Sequence, residues 1–295
     1  MEGCLDLRET AAVVTTPDRP KGRGLQVQSN AVKMRAEKAG VPVYAPTSLK
    51  KDAGLEKKIS ALKPDLFVTA SYGKLIPSSL LRIPKIAPLN VHPSLLPKYR
   101  GAAPIPWQII NGEKETGVSI ALMTEALDAG DIVHQIRIPL QNHETAESLS
   151  ENLSHLARKA LEEILGRVER GDLPRTPQKE SESSYARKLT KEDGFLNLAE
   201  PAELLDRKIR AFHPWPGAFI GCEKKPLRIL EAKADLSNKK AEPGELLEIH
   251  SEGYLKVQTG GGSLKILRAQ LPGRRPVSGL DLANGLRLKA GFVFQ

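Results

Sequence analysis

The most constraining stretch of the sequence is an apolar strand that runs directly into prolines. Leu89 and Val91 supply the apolar residues of a buried strand, and Pro93 follows almost at once. Proline cannot donate to a ladder of strand hydrogen bonds, so we predict that the chain leaves the sheet there. Because alternate residues of a strand share a face, Asn90 and His92 are expected to point into one pocket. In an open α/β sheet, ligands bind at this carboxyl edge of the strands.

The pair formed by Asn90 and His92 has two interpretations. An Asn amide donates to a carbonyl oxygen without changing charge, and a His near neutral pH can donate to an oxyanion or transfer a proton. The alternative is a histidine satisfied within a loop and an asparagine that makes a turn. From these two residues alone, neither interpretation is better than the other.

A carboxylate after a second strand favours catalysis. Asp128 follows the apolar strand Val118–Met123. If the two strands end side by side, Asp128 lies next to His92, where a carboxylate orients the imidazole and favours its protonated form. Asp131 is the competing candidate, since Asp-x-Gly-Asp is also a common turn composition.

At these residues the sequence resembles the 10-formyltetrahydrofolate-dependent formyltransferases. The catalytic Asn-His-Asp set of that family is matched by Asn90, His92 and Asp128, and its folate-contacting loop is matched by Ser94, Leu95, Leu96 and Pro97. Four further segments are similar to the members that act on methionyl-tRNA, namely Thr16–Gly24, Arg100–Ile105, Lys188–Gly194 and Arg210–Ala218. The resemblance runs from about Ala12 to the C-terminus.

The resemblance implies a reaction and its participants. The formyl group of the co-substrate 10-formyltetrahydrofolate would pass to the α-amine of methionine on initiator tRNA, for translation initiation. Asn90 and protonated His92 would stabilise the oxyanion, and Asp128 would keep His92 charged and help to orient a water. The rivals are formyltransferases that act on a glycinamide ribonucleotide or on a nucleotide-linked amino sugar, and a non-catalytic RNA-binding protein. We expect a monomer.

The segment Thr16–Gly24 forms a cationic loop, which is the predicted contact with the tRNA. Composition alone equally describes a solvated surface loop, and the Gly-Lys-Ser/Thr spacing of a phosphate-binding loop is absent. The resemblance implies that this loop inserts at the acceptor end of the tRNA, with contacts from Arg19, Lys21 and Arg23. Further candidates for the tRNA backbone are the pairs Arg274-Arg275, Lys224-Lys225 and Lys239-Lys240. Trp215 could stack on a base, but packing at a domain junction is the favoured interpretation.

Composition agrees with an anionic partner. The net charge is +9, since 44 Lys and Arg outnumber 35 Asp and Glu, and nucleic acid is the leading candidate. Cys4 and Cys222 have no metal-like neighbours, so we interpret both as free thiols of a reducing, cytoplasmic compartment. No run approaches the ~18 apolar residues of a membrane helix, and no signal segment is evident. The histidines lack ligand spacing, so we predict no metal site.

Periodicity predicts an α/β fold. Strands and helices alternate from Ala11 to Ala70, which indicates a Rossmann-like, mostly parallel sheet with helices on both faces. Apolar residues at steps of three and four predict a long helix over Glu144–Val168. Short alternating runs separated by turns follow Phe212, and the resemblance implies that they form an OB-like β-barrel that binds tRNA. We predict a catalytic domain over 1–172, a linker over 173–195 and a barrel domain over 196–295.

The beginning of the chain departs from the family pattern. In the family, a strand, a glycine turn and a helix precede the strand predicted at Ala11–Thr15, whereas here only about ten residues do. That first strand lies inside the family's sheet. We therefore expect the catalytic domain to be short of one strand and one helix, with unpaired backbone groups and a lower stability.

Overall fold

The computed structural model describes residues 6, 8–21, 26–50, 52–223, 225–237 and 241–295, and at 19–21, 26–28 and 53 it describes the backbone alone. The α-helices within these residues are α1 (Ala31–Lys38), α2 (Ala53–Ala61), α3 (Ser78–Leu81), α4 (Pro104–Ile110), α5 (Ala146–Glu169), α6 (Ala202–Ala211) and α7 (Gly279–Leu286). The strands are β1 (Val13–Val14), β2 (Arg19–Lys21), β3 (Gln26–Gln28), β4 (Val43–Tyr44), β5 (Leu66–Ala70), β6 (Ala87–His92), β7 (Arg100–Gly101), β8 (Glu115–Leu122), β9 (Ile132–Pro139), β10 (Tyr185–Ala186), β11 (Ala218–Cys222), β12 (Lys225–Asp235), β13 (Leu246–Ile249), β14 (Leu255–Gln258), β15 (Ser263–Gln270) and β16 (Val277–Ser278).

The chain divides into two compact units that do not follow simple halves of the sequence. Unit 1 comprises Met1–Ala102, Gly117–Ile138 and Leu153–Tyr185. Unit 2 comprises Ala103–Thr116, Pro139–Asn152 and Ala186–Gln295.

The sheets of unit 1 are mixed, whereas the sequence predicts a mostly parallel arrangement. Strand β1 pairs in parallel with β4, and β5 pairs in parallel with β6. Strand β8 then runs antiparallel to β6, and the four-stranded sheet has the order β5-β6-β8-β9. Antiparallel neighbours can be joined at one edge of the sheet, so the segment between β6 and β8, which contains β7 and α4, returns the chain without the crossover that parallel strands need. The α/β class is confirmed.

The predicted helices of unit 1 begin where side chains can satisfy the free backbone donors. The Asn30 side chain accepts from the Lys33 N–H at the start of α1, and Asp52 accepts from the Leu55 N–H at the start of α2.

In β6, Leu89 is fully buried. The central strand of the sheet is therefore well covered.

One side of the β5 strand borders a cavity of about 780 Å³. Its lining includes Val14 from β1 and Leu66–Ala70 from β5, together with side chains of α2 and α5. Strand β5 lies at the edge of its sheet, and β1 pairs only with β4 in the part of the chain that the structure describes. The expectation that this domain is short of a strand stays a prediction.

Unit 2 is dominated by an antiparallel six-stranded sheet. Its order is β11-β12-β15-β14-β13, and β16 pairs with β15. The segments Ser251–Gly253 and Gly260–Gly262 form the turns of two hairpins, since β13, β14 and β15 are consecutive antiparallel neighbours. Within the described residues β11 does not pair with β13, so a closed barrel stays a prediction.

Gly117 of β8 faces the backbone of β9 and tests how closely these two strands approach. A Cβ at Gly117 would lie 2.1 Å from the Ile136 carbonyl oxygen, a distance at which backbone must move. We predict that Gly117→Ala lowers the free energy of unfolding by roughly 1–3 kcal/mol, as overpacking does. Denaturant titration measures this effect.

The matched control is Gly166→Ala in α5. The nearest atom to its Cβ would be the Arg170 Nη1 atom at 3.7 Å, so space is available. Replacing glycine by alanine inside a helix should raise stability by about 0.5–1 kcal/mol. Equal midpoints for the two variants would contradict the close approach at Gly117.

Candidate active site

The first two site residues come from the end of β6, as the sequence predicts. The strand ends at His92, and the chain leaves the sheet at Pro93. Asn90 and His92 lie two residues apart on this strand, and His92 is only 4% exposed. The pocket is therefore shielded from water on the side of the imidazole.

Asp128 joins this pair and accepts hydrogen bonds from two directions. The Asn90 Nδ2 atom donates to Asp128 Oδ1 at 3.0 Å, and the Gly101 N–H donates to Asp128 Oδ2 at 2.9 Å. The His92 Nδ1 atom lies 3.7 Å from Asp128 Oδ2. The structure thus brings Asn90, His92 and Asp128 together, and Asp128 rather than Asp131 is the carboxylate beside the imidazole.

The surroundings of His92 act against the protonated form that the sequence predicts. Burial lowers the pKa of His92, and the Asp128 carboxylate and the Tyr99 carbonyl oppose this effect only in part. The His92 Nε2 atom lies 2.8 Å from the Tyr99 carbonyl oxygen, which can only accept, so Nε2 carries the hydrogen. The sequence predicts a protonated imidazole beside a carboxylate, but desolvation of a buried cation favours the neutral form in the free protein.

Three groups that hold these side chains are absent from the sequence prediction. They are the Tyr99 carbonyl, the Gly101 N–H and the side chain of Gln178, whose Nε2 atom donates to the Asp128 carbonyl at 2.8 Å. Two of them are backbone groups, which no residue pattern reveals. Gln178 lies in the stretch predicted as a linker, and tertiary folding alone sets its position.

The predicted folate loop, Ser94–Pro97, is hydrogen-bonded to a buried serine of β8. The Ser119 hydroxyl donates to the Ser94 carbonyl at 2.6 Å and accepts from the Leu96 N–H at 3.0 Å. Ser94 is fully buried and Leu96 is 4% exposed, whereas Leu95 and Pro97 are half-buried. Two hydrogen bonds of Ser119 therefore tie this loop to β8, and Leu95 and Pro97 are its more accessible side chains.

The cationic loop lies partly outside the described residues. Arg19 and Lys21 belong to β2, which pairs antiparallel with β3, but their side chains are not described, and Arg23 lies outside the described residues. The base of this hairpin is fixed to α1, because Lys33 Nζ lies 2.7 Å from Asp18 Oδ2.

The other predicted contacts are surface residues where the structure describes them. Arg274, Arg275 and Lys225 are exposed, and Trp215 is 50% exposed. The remaining barrel candidates lie outside the described residues, namely Lys224, Lys239 and Lys240.

The described residues also lack two features that would suggest other chemistry. Within them, no group of three or more His, Cys, Asp or Glu side chains is placed to hold a metal ion. None of the helices described is long and apolar enough to cross a membrane.

Two family models match this chain. The formyl transferase model covers residues 5–165, and the model of the formyl transferase C-terminal domain covers residues 188–287. Asn90, His92 and Asp128 lie within the first match, and the antiparallel sheet lies within the second. The class of protein is a formyltransferase.

Comparison with curated relatives shows which family of formyltransferases the chain resembles. The chain is 40% identical over 293 residues to a methionyl-tRNA formyltransferase of Synechococcus sp. (strain JA-3-3Ab), covering 97% of this chain and 90% of that protein. It is 42% identical over 279 residues to one of Anaeromyxobacter dehalogenans (strain 2CP-1 / ATCC BAA-258), covering 94% and 89%. The chain therefore belongs to the methionyl-tRNA formyltransferase family and is an enzyme of formyl transfer.

Solved structures share the fold at lower identity. An N-formyltransferase from Helicobacter canadensis, in complex with folinic acid and dTDP-3-aminofucose, is 18% identical with a TM-score of 0.63, covering 85% of this chain and 86% of that chain. HypX from Aquifex aeolicus, in complex with tetrahydrofolic acid, is 22% identical with a TM-score of 0.61, covering 87% and 44%. At these identities the likeness is one of fold.

The lowered pKa of His92 predicts how stability depends on pH. In the unfolded chain His92 titrates near pH 6.5, and in the folded protein it binds its proton only at lower pH. The unfolded state therefore binds more protons between these two values, and the free energy of unfolding falls as the pH is lowered through that window. Denaturant titrations from pH 7 to pH 5 measure the slope.

The variant His92→Asn removes this titration and should flatten the slope. The exposed His155 provides the control, because His155→Asn changes the same atoms without changing a buried group. An unchanged slope in His92→Asn would contradict a neutral, buried His92.

Proposed function

We propose that the chain transfers the formyl group of 10-formyltetrahydrofolate to the α-amine of methionyl initiator tRNA, with Asn90, His92 and Asp128 as the catalytic residues. The observation that carries this proposal is the meeting of the three side chains at the end of β6, with Asp128 hydrogen-bonded to Asn90 at 3.0 Å. The identity of 40% to a methionyl-tRNA formyltransferase supports the choice of amine.

The reaction forms one bond and breaks another. The methionine nitrogen attacks the formyl carbon, a tetrahedral oxyanion forms, and the bond from that carbon to the folate nitrogen then breaks. The amine loses a proton and the folate nitrogen gains one, so no net proton is released. Reaching the oxyanion is the step that the protein can stabilise with fixed donors.

Asn90 is suited to donate to that oxyanion. One hydrogen of its amide is held by Asp128, which fixes the direction of the other. A well-aimed donor in a site that excludes water contributes about 3–4 kcal/mol to stabilisation of the transition state. The neutral amide does so without bringing a buried charge into the resting site.

His92 responds to the charge of the intermediate. Burial lowers the pKa of His92 and favours the neutral imidazole, whereas a negative oxygen nearby favours the imidazolium form. His92 can therefore accept the proton that the amine releases and pass it toward the folate nitrogen, directly or through water. Asp128 lies 3.7 Å from the imidazole and offsets part of the cost of that charge.

The direct assay mixes purified protein with a labelled formyl donor and charged initiator tRNA. Label should appear on the methionine. A glycinamide ribonucleotide and a nucleotide-linked amino sugar serve as competing acceptors. Transfer to either one in preference to the charged tRNA would overturn the proposed substrate.

Removing a catalytic side chain should affect turnover more than binding. We predict that His92→Ala and Asp128→Asn each lower the single-turnover rate by about 10²–10³-fold, because both act on the transition state. Folate affinity should change little. Asp131→Asn is the matched control and should retain its rate; rates within threefold of the parent for both site variants would exclude the assignment.

Two substrates need separate surfaces. We propose that the loop of Ser94, Leu95, Leu96 and Pro97 receives the folate, chiefly through Leu95, Pro97 and exposed backbone, because the other two side chains are buried. We propose that the cationic loop with Arg19, Lys21 and Arg23 contacts the tRNA. Unit 2, which we infer to be an OB-like barrel, would contribute further backbone contacts.

Arg23 tests the division between the two substrates. We predict that Arg23→Ala raises the KM for tRNA and leaves the KM for folate unchanged, because a cation in a basic loop contacts phosphate. Affinity for tRNA should also fall steeply with rising salt. In the variant, the slope of log Kd against log salt should drop by about 0.7–0.9 for each phosphate that the arginine no longer neutralises.

The control is Arg82→Ala, which removes one exposed positive charge outside the loop. It should leave the salt slope as in the parent. If Arg23→Ala and Arg82→Ala behave alike, the loop does not contact the tRNA.

A further inference from the structure

The Asp128 backbone adopts a conformation that needs support. Its φ angle is +53°, in the left-handed region that non-glycine residues seldom occupy. The turn is tightly packed, since a Cβ at Gly130 would lie 2.0 Å from the Leu122 carbonyl oxygen. A residue in this region persists only where its surroundings hold it.

Gln178 supplies such support with both ends of its amide. Its Nε2 atom donates to the Asp128 carbonyl at 2.8 Å and to the Gly130 carbonyl at 2.7 Å. Its Oε1 atom accepts from Arg100 Nε at 3.1 Å. Two carbonyl acceptors on one side and a guanidinium donor on the other leave the amide a single workable orientation.

Arg100 connects the Gln178 amide to the segment Tyr99–Gly101, which contacts both His92 and Asp128. It lies between Tyr99, whose carbonyl is hydrogen-bonded to His92, and Gly101, whose N–H donates to the Asp128 carboxylate. Arg100 is 9% exposed, and its Nη1 atom also lies 2.9 Å from a Glu180 oxygen. Gln178 and Arg100 thus join the turn that carries Asp128 to the loop that orients His92.

We propose that Gln178 is a positioning residue for the formyl transfer, which sets the distance between Asp128 and His92 through its hydrogen bonds to the Asp128 turn and to Arg100. It touches neither reacting atom. This inference rests on the proposed roles of His92 and Asp128. Displacement of a catalytic group by about 1 Å can cost on the order of 10²-fold in rate, so a single amide at this point can matter.

The sharpest variant is Gln178→Glu, which keeps the shape and replaces the donor by an oxygen facing two carbonyl oxygens. Gln178→Ala removes all three hydrogen bonds of the side chain without introducing repulsion. We expect kcat to fall by about 10–100-fold, with each KM within about twofold of the parent. Gln141 is exposed, so Gln141→Glu makes the same chemical change as a matched control and should keep the parent kcat.

A pH profile separates positioning from a general loss of structure. The Asp128 carboxylate raises the pKa of His92, so its withdrawal should move the limb of the kcat profile that belongs to His92 to lower pH. A variant that is only less stable would keep the profile of the parent and would recover kcat at a lower assay temperature. Circular dichroism at the assay temperature gives the folded fraction.

Three outcomes overturn the inference: kcat within threefold of the parent in both Gln178 variants, a loss proportional to the unfolded fraction, or an unmoved pH profile. Asp128→Asn is measured alongside. If Asp128→Asn is inactive and the Gln178 variants are not, positioning fails and the proposed function stands. If Asp128→Asn is fully active, the proposed catalytic role of Asp128 fails, and the positioning role of Gln178 fails with it.

Discussion

The site depends on one buried carboxylate that is shared by three groups. Asp128 accepts hydrogen bonds from the Asn90 amide and the Gly101 N–H, and its Oδ2 atom faces His92. A carboxylate out of water is costly unless it is hydrogen-bonded, so these partners are required by stability as well as by chemistry. Three segments distant in sequence are thereby held at one point.

The polar residues around this point act on backbone as much as on side chains. The Ser119 side chain donates to the Ser94 carbonyl, and the Gln135 side chain donates to the Leu96 carbonyl. The Gln178 side chain donates to the Asp128 carbonyl. Such buried groups would be costly without partners, and each of these hydrogen bonds satisfies a donor and an acceptor together. The irregular loops at the sheet edge therefore keep fixed shapes although few of their residues lie in helices or strands.

The sequence predicts the side chains that form the centre of the candidate site. It does not predict the residues that reach this centre only through the tertiary fold. Asn90, His92 and Asp128 follow from strand periodicity and from the resemblance to a family. Gln178 does not, because it lies in a stretch without periodicity that composition describes as a linker, and only the folded chain brings it to Asp128. The antiparallel pairing of β6 with β8 is a second example, since helix and strand alternation indicates parallel strands and does not encode where the chain reverses its direction.

The pKa of His92 depends on its burial as well as on the carboxylate of Asp128 beside it. A nearby carboxylate favours the imidazolium, but loss of water around a ring that is 4% exposed opposes it, and burial has the larger effect. An imidazolium that is charged at rest also stabilises a developing oxyanion, but its burial then has to be offset by other interactions of the folded protein. A histidine that becomes charged only as the oxyanion forms stabilises the transition state selectively, and only that difference raises kcat. In the mechanism proposed above, the burial of His92 at the end of β6 makes the charge of its imidazole depend on formation of the oxyanion.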